Sequence, residues 1–147
     1  MLKQSLIELG RKHRSMMVLM NRDVKPQLAS DLLKSFSDRY VDIDSGGNHL
    51  LGQAVGFALI GKTPFLIDTE VSIVERGLEM LREVVAIPSL NVKIIGLSDG
   101  VFDGLNLVKI LPNITTVELA KEEDVSSAIL SMMAAYGPVY LRLPLDS

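Results

Sequence analysis

Short, nearly continuous apolar runs alternate along the chain with longer stretches in which apolar residues recur every three or four positions. Leu2, Leu6, Ile7 and Leu9 predict an opening helix with one apolar face, and Ser15 to Met20 a buried strand. Pro26 suits the first turn of a helix reaching about Phe36, with Leu28, Leu32, Leu33 and Phe36 at helical spacing. Tyr40 to Ile43 is a second strand. A glycine-rich helix follows, with Asn48 as its cap and Gly61 as its stop. Pro64 to Ile67 is the third strand, and a longer helix runs from Asp68 or Thr69 to Val85, with Pro88 in the turn beyond. Asn91 to Leu97 is the strongest strand signal. The loop SDGVFDG then leads to a helical turn before Pro112. A strand at Thr115 to Glu118, an amphipathic helix at Glu122 to Ala135 and a strand at Val139 to Leu143 complete the chain.

Strands apolar throughout their length are buried on both faces, which happens in parallel sheets covered by helices. The expected fold class is therefore α/β, a three-layer α/β/α sandwich on a mostly parallel sheet of about six strands. No repeat, low-complexity tract or linker marks a second domain, so residues 1–147 are expected to form one.

Composition removes several function classes. A net charge of -3 gives no electrostatic case for nucleic acid. The basic cluster Arg11, Lys12, His13 and Arg14 suits a helix end, where cations offset the dipole. No stretch approaches the roughly 18 apolar residues of a membrane helix. The N-terminal segment lacks a signal-peptide core, so the expected location is the cytoplasm. Without cysteine there is no thiolate chemistry, and His13 and His49 have no zinc spacing, so no metal ligands are expected. Neither phosphate-loop spacing occurs around Gly46 and Gly47, and no serine has a hydrolase setting. The methionines read as core filler.

The most informative stretch is YVDIDSGGNHLLGQAVGFAL, Tyr40 to Leu59: a strand, a polar turn with glycines, and a helix carrying Gly52, Ala54, Gly56 and Ala58. Ligands of open parallel sheets sit beyond such a strand's carboxyl end. The segment resembles D-V-G-I-A-E-Q-N-M-V-G-M-A-A-G-L-A-L of the pyrimidine-binding domain of the transketolase family of thiamine diphosphate enzymes. Other matches follow in order. Met17 to Pro26 stands where the family has a strand and an aspartate-containing loop. Ile60 to Asp68 looks like S-G-x-x-P-F-V-x-T, Leu111 to Val125 is similar to L-P-N-M-T-V-V-x-P-A-D-A-x-E-x, and Tyr136 to Pro144 to D-G-P-V-Y-I-R-L.

The resemblance implies a site shared by two domains, one holding the diphosphate through a divalent cation and the other receiving the pyrimidine. This chain resembles the second. The family's essential glutamate, which promotes the coenzyme's imino tautomer, aligns with Gly47, its glutamine with Asn48 and its asparagine with His49. Glycine cannot relay a proton, a contribution typically worth 10² to 10⁴ in rate. Asp44, three residues earlier, either substitutes for the glutamate or, aimed elsewhere by that displacement, shapes the turn. The family's aromatic platform T-F-x-x-F is also missing, since Asp68 to Gly77 reads DTEVSIVERG, with a charged Glu70 a poor replacement. Its histidine-bearing loop G-x-x-G-P-T-H-Q does not fit in Ser98 to Gly104. No catalytic residue is assigned. The candidates for cofactor or ligand binding are Asp44, Gly47, Asn48, His49 and Asp68. Asp42, Asp44 and Asp68 all lie near strand ends, where they either converge on a cation or ribose or stay apart. His49 either faces a small ligand or caps a helix or interface.

Gly52 and Gly56 lie on one helix face, packing either within the chain or against a second subunit. The family has a subunit interface there, so a homodimer is expected. Three readings follow. The chain is a non-catalytic interaction or scaffold subunit needing no cofactor alone, or the pyrimidine-domain subunit of a split enzyme. In the second case thiamine diphosphate with magnesium binds only when a separate diphosphate-binding chain completes the site. The third reading is a small-ligand sensor.

Overall fold

The computed structural model describes residues 1–43, 48–119 and 124–147. Its six strands are β1 (Met16–Asn21), β2 (Tyr40–Ile43), β3 (Thr63–Thr69), β4 (Lys93–Ser98), β5 (Thr115–Glu118) and β6 (Val139–Pro144). They form one sheet in the order β2-β1-β3-β4-β6-β5, and every pair is parallel. The three-layer sandwich expected from the apolar runs is the architecture observed. β2 and β5 have the limits read from the sequence, and the other four strands differ by one or two residues at an end, because pairing rather than hydropathy sets the ladder's ends.

Alternation along each strand divides the core in two. Met16, Val18, Met20, Tyr40, Phe65, Ile67, Ile95, Leu97, Leu141 and Leu143 face one layer. That layer holds α1 (Leu2–Lys12), α2 (Pro26–Phe36) and α6 (Val125–Ala134), whose Leu6, Leu32 and Ile129 are buried. Met17, Leu19, Leu66, Ile94 and Tyr140 face the other, against α3 (Asn48–Leu59), α4 (residues 71–86) and α5 (Gly104–Val108). Pro26 opens α2, and Arg11 and Lys12 sit in the last turn of α1, both as read from the sequence. Asn48 is the first residue of α3 rather than its cap, and the cap position lies outside the described residues. Asp124 immediately precedes α6, and its expected start at Glu122 lies outside the described residues.

The long helix expected after β3 departs from regular geometry. It consists of π-helical turns at Val71–Glu75, an α-turn at Leu78–Met80 and a second π-helical stretch at Leu81–Ala86, together called α4. Arg76 N donates to Val71 O and Ile87 N to Arg82 O, five residues back in each case. Gly77 lies between the two widened parts, where a β-carbon would come 2.6 Å from Ile73 O and 2.8 Å from Leu51 Cδ1. The Thr69 hydroxyl accepts from Ser72 N at 3.2 Å and so caps the first turn.

At the amino end of β4, Lys93 is buried, and its Nζ donates to Ala135 O at 2.6 Å and Gly137 O at 2.5 Å, just past α6. A cation at a helix C-terminus meets the negative end of the dipole.

Candidate functional site

Chain direction reverses between β1 and β3: β1 leads outward to β2, and β3 leads the other way to β4. Their adjacent carboxyl ends form the switch point where open sheets bind ligands. Asn21 ends β1 and Asp68 lies near the end of β3, both on the face that carries α3 and α4. Asp68 is fully buried. Its Oδ1 accepts Thr69 N at 2.7 Å and Asn21 Nδ2 at 3.5 Å, while Asn21 Oδ1 accepts Asp23 N at 3.1 Å. Asn48 and His49 are exposed at the start of α3. Asn48 Oδ1 would lie 3.3 Å from a β-carbon at Gly77, so that glycine gives the helix start room against α4.

Asp44 and Gly47 lie outside the described residues. Asp42 and Asp68 do not converge. Asp42 shares the Tyr40 face of β2, where its carboxylate accepts from Arg22 Nη1 at 2.8 Å, whereas Asp68 points to the opposite face of the sheet. Among the described residues, no group of three His, Asp or Glu side chains could hold a metal ion.

A residue that sequence reasoning treated only as a poor replacement proves central. Glu70, one residue beyond β3, is 1% exposed and binds across β4 to β6. Its Oε1 accepts Arg142 Nη2 at 2.6 Å and Gly104 N at 3.1 Å, and its Oε2 accepts the Tyr140 hydroxyl at 2.8 Å and Arg142 Nε at 3.1 Å. The remaining Arg142 donors reach Glu118 Oε2 at 3.1 Å, Asp103 Oδ1 at 3.2 Å and Phe102 O at 3.4 Å. Two glycines leave the space. A β-carbon on Gly96 would overlap the Tyr140 hydroxyl, and one on Gly104 would lie 2.7 Å from Glu70 Cγ.

Burial, then the charge of Glu70, pushes the Tyr140 phenol far above its ordinary range, so it stays a protonated donor. The Glu70 hydrogen bonds raise the Arg142 guanidinium further, and it stays charged. Glu70 already accepts from three partners and every nitrogen of Arg142 donates, so the cluster is a closed lock on the β4–α5 loop rather than a free acid or base. The sequence signal was available in YLRL, where a tyrosine and an arginine two apart interrupt an apolar strand on the same face.

These features fit a pyrimidine ring poorly. Asp68 to Gly77 contains no aromatic residue, and Asp68 and Glu70 are both buried and hydrogen-bonded. Within Asp68 to Gly77, then, no ring is available for stacking, and the two buried carboxylates are already hydrogen-bonded.

Fold and site together define an all-parallel α/β/α domain with a polar switch point and a buried ion-pair lock beside it. No family profile matches the chain. It is 27% identical to a putative transketolase C-terminal section of Methanocaldococcus jannaschii, over 96% of this chain and 48% of that protein. It is 28% identical to a 6-deoxy-6-sulfo-D-fructose transketolase subunit of a Clostridium strain, over 79% of this chain and 41% of that one. A solved structure described as a split gene transketolase, inactive beta4 tetramer, superposes with a TM-score of 0.90 at 29% identity, covering 97% of this chain and 49% of that chain. The resemblance to transketolase-like pyrimidine-binding domains is thus borne out. The chain spans about half the length of the relatives it matches. Among the described residues, no helix is long and apolar enough to cross a membrane.

Proposed function

We propose that residues 1–147 act as one pyrimidine-binding-type domain in a two-chain, transketolase-type assembly, completed by a separate diphosphate-binding chain in the cytoplasm. The observation that carries this reading is the likeness over 97% of the chain to a split gene transketolase and over 79% to a transketolase subunit. Asp44, Gly47, Asn48, His49 and Asp68 are the residues proposed to border the shared site. Thiamine diphosphate with magnesium binds only once the partner is present, because this chain lacks the ring platform. Calorimetric titration with the cofactor, with and without a diphosphate-binding chain encoded beside it, tests this. Heat only in the presence of the partner supports it, and tight binding by the chain alone overturns it.

A second reading keeps the assembly but removes catalysis, making the chain an interaction or scaffold subunit. Its support is Gly47 at the glutamate position together with the missing aromatics. The reconstituted pair then binds no cofactor and turns over no keto sugar, and any such turnover sinks this reading. The third reading, a small-ligand sensor at the switch point, requires a metabolite that copurifies with the chain.

Self-association fits either assembly. A β-carbon on Gly52 would touch Met80 within the chain, but one on Gly56 meets nothing, and Leu59 and Ile60 just beyond are each 70% exposed. The proposed homodimer uses this face. Light scattering on Gly56→Glu should show loss of the dimer, and an unchanged mass would place the contact elsewhere.

A further inference from the structure

Beyond the switch point, the carboxyl ends of β4 and β6 present a second surface. Two concavities of about 450 and 260 Å³ meet there and share Ser98, Gly100 and Pro144 as walls. Leu145 lines the larger and Leu119 the smaller. Val101, on the adjoining loop, is 89% exposed. A single exposed valine is ordinary. This one stands beside apolar hollows on a loop whose backbone is already fixed.

Val101 N and Phe102 N donate to Asp99 Oδ1 at 2.8 and 3.1 Å, and Gly100 N to Ser98 Oγ at 3.1 Å. Gly104 N is held by buried Glu70, and Leu145 N donates to Ser98 O at 2.9 Å. Ordering cost is thus met in the free chain, and preorganised surfaces lose less entropy on binding.

The charges around the hollows select the occupant. Asp99, Asp103, Glu118 and Asp146 carry four carboxylates. Among the described residues, Arg142 is shared by buried Glu70, Asp103 and Glu118, and Lys25, whose Nζ donates to Leu145 O and Ser147 O, lies at one flank. An acidic rim around apolar hollows complements a segment in which apolar side chains alternate with arginine or lysine.

We propose that this surface docks such a basic, apolar segment of a partner protein. The proposal rests on the two-chain reading for the partner's identity and on the surface alone for its chemistry. The probe is a hexapeptide alternating leucine with arginine, titrated into the isotope-labelled chain while backbone amide shifts are followed; a leucine–glutamate hexapeptide is the control.

Shifts are expected at Gly100 to Phe102 and at Leu145 and Asp146 with the arginine peptide only. They should weaken about fivefold or more in roughly 0.5 M salt, where the Debye length falls to a few ångströms. Val101→Ser combined with Asp146→Lys, both exposed changes, should weaken them similarly. Equal response to both peptides, no response, or shifts at α3 instead would overturn the proposal. If the arginine peptide binds here and an added diphosphate-binding chain neither binds nor competes, the surface stands and the two-chain reading falls. If that chain binds but the peptide does not, the reverse holds.

Discussion

Replacing Glu70 with glutamine keeps the side chain's shape but removes the charge that three partners share. Arg142 then loses its 2.6 Å ion pair and its Nε contacts, and the new amide donor faces either Arg142 or the Tyr140 hydroxyl, themselves donors. Removing one partner of a buried pair typically costs about 3–5 kcal/mol. Arg142 retains some exposure and still reaches Glu118 and Asp103, which places the expected loss near the lower end, about 3 kcal/mol. Tyr140→Phe removes one hydrogen bond to a charged acceptor and should cost about 1.5–3 kcal/mol. Urea unfolding followed by far-ultraviolet circular dichroism reads both changes as shifts in midpoint at constant slope. Glu70→Gln with Arg142→Met should lose at least about 1 kcal/mol less than the two single changes summed, because one absent interaction is counted twice. A Glu70→Gln loss under about 1 kcal/mol, or additivity within roughly 0.5 kcal/mol, would refute the lock.

Gly96→Ala should destabilise the chain by about 1–3 kcal/mol through overlap with the Tyr140 hydroxyl, and Tyr140→Phe in the same chain should recover part of the loss, measured by the same unfolding assay. Burial holds the Lys93 amine down at about 8, against 10.5 for the free side chain. Above pH 8 the unfolded chain therefore binds a proton that the folded chain has released, so stability rises with pH from about 8 towards 10. Lys93→Met should flatten that rise. The Tyr40 phenol, pushed up to about 12 by burial and then by Asp42, works in the opposite direction, and stability should fall above pH 10 as unfolded tyrosine ionises. Tyr40→Phe should shrink that fall. Among the described residues its buried hydroxyl has no hydrogen-bond partner within bonding distance, so the change should cost little stability at neutral pH.

The sheet was legible because each inner strand is apolar on both faces, a pattern that half-buried antiparallel strands do not produce. Tyr40 to Ile43 and Thr115 to Glu118 were placed at their observed limits. The widened turns of α4 were not legible. A π-turn accommodates one added residue without altering the apolar spacing enough to separate it from an α-helix. The lock was missed for a different reason. Glu70 and Arg142 are 72 residues apart, and they meet only because β6 pairs with β4, with Gly96 opposite both Asp68 and Arg142. Sequence spacing contains no record of that register. For the same reason three aspartates near strand ends carried no information on convergence until Asp42 and Asp68 were assigned to opposite faces.

The site differs from the family pattern in ways that reinforce one another, and this bears on whether one substitution could restore cofactor binding. With Asp68 at the pattern's threonine, the two aromatic positions fall on Thr69 and Ser72. Thr69 now caps α4 through its hydroxyl, and Ser72 is 6% exposed, so phenylalanine at either place removes a cap or overfills a packed layer. Gly47→Glu supplies a relay carboxylate but no surface for the ring to lie on. Its expected effect on calorimetric binding of thiamine diphosphate with magnesium by this chain alone is therefore nil. Adding Thr69→Phe should not rescue it, and should lower stability by about 1 kcal/mol through the lost cap, seen as a lower unfolding midpoint. Measurable binding by the Gly47→Glu chain would show instead that the platform is dispensable and that the residue at position 47 alone decides cofactor binding.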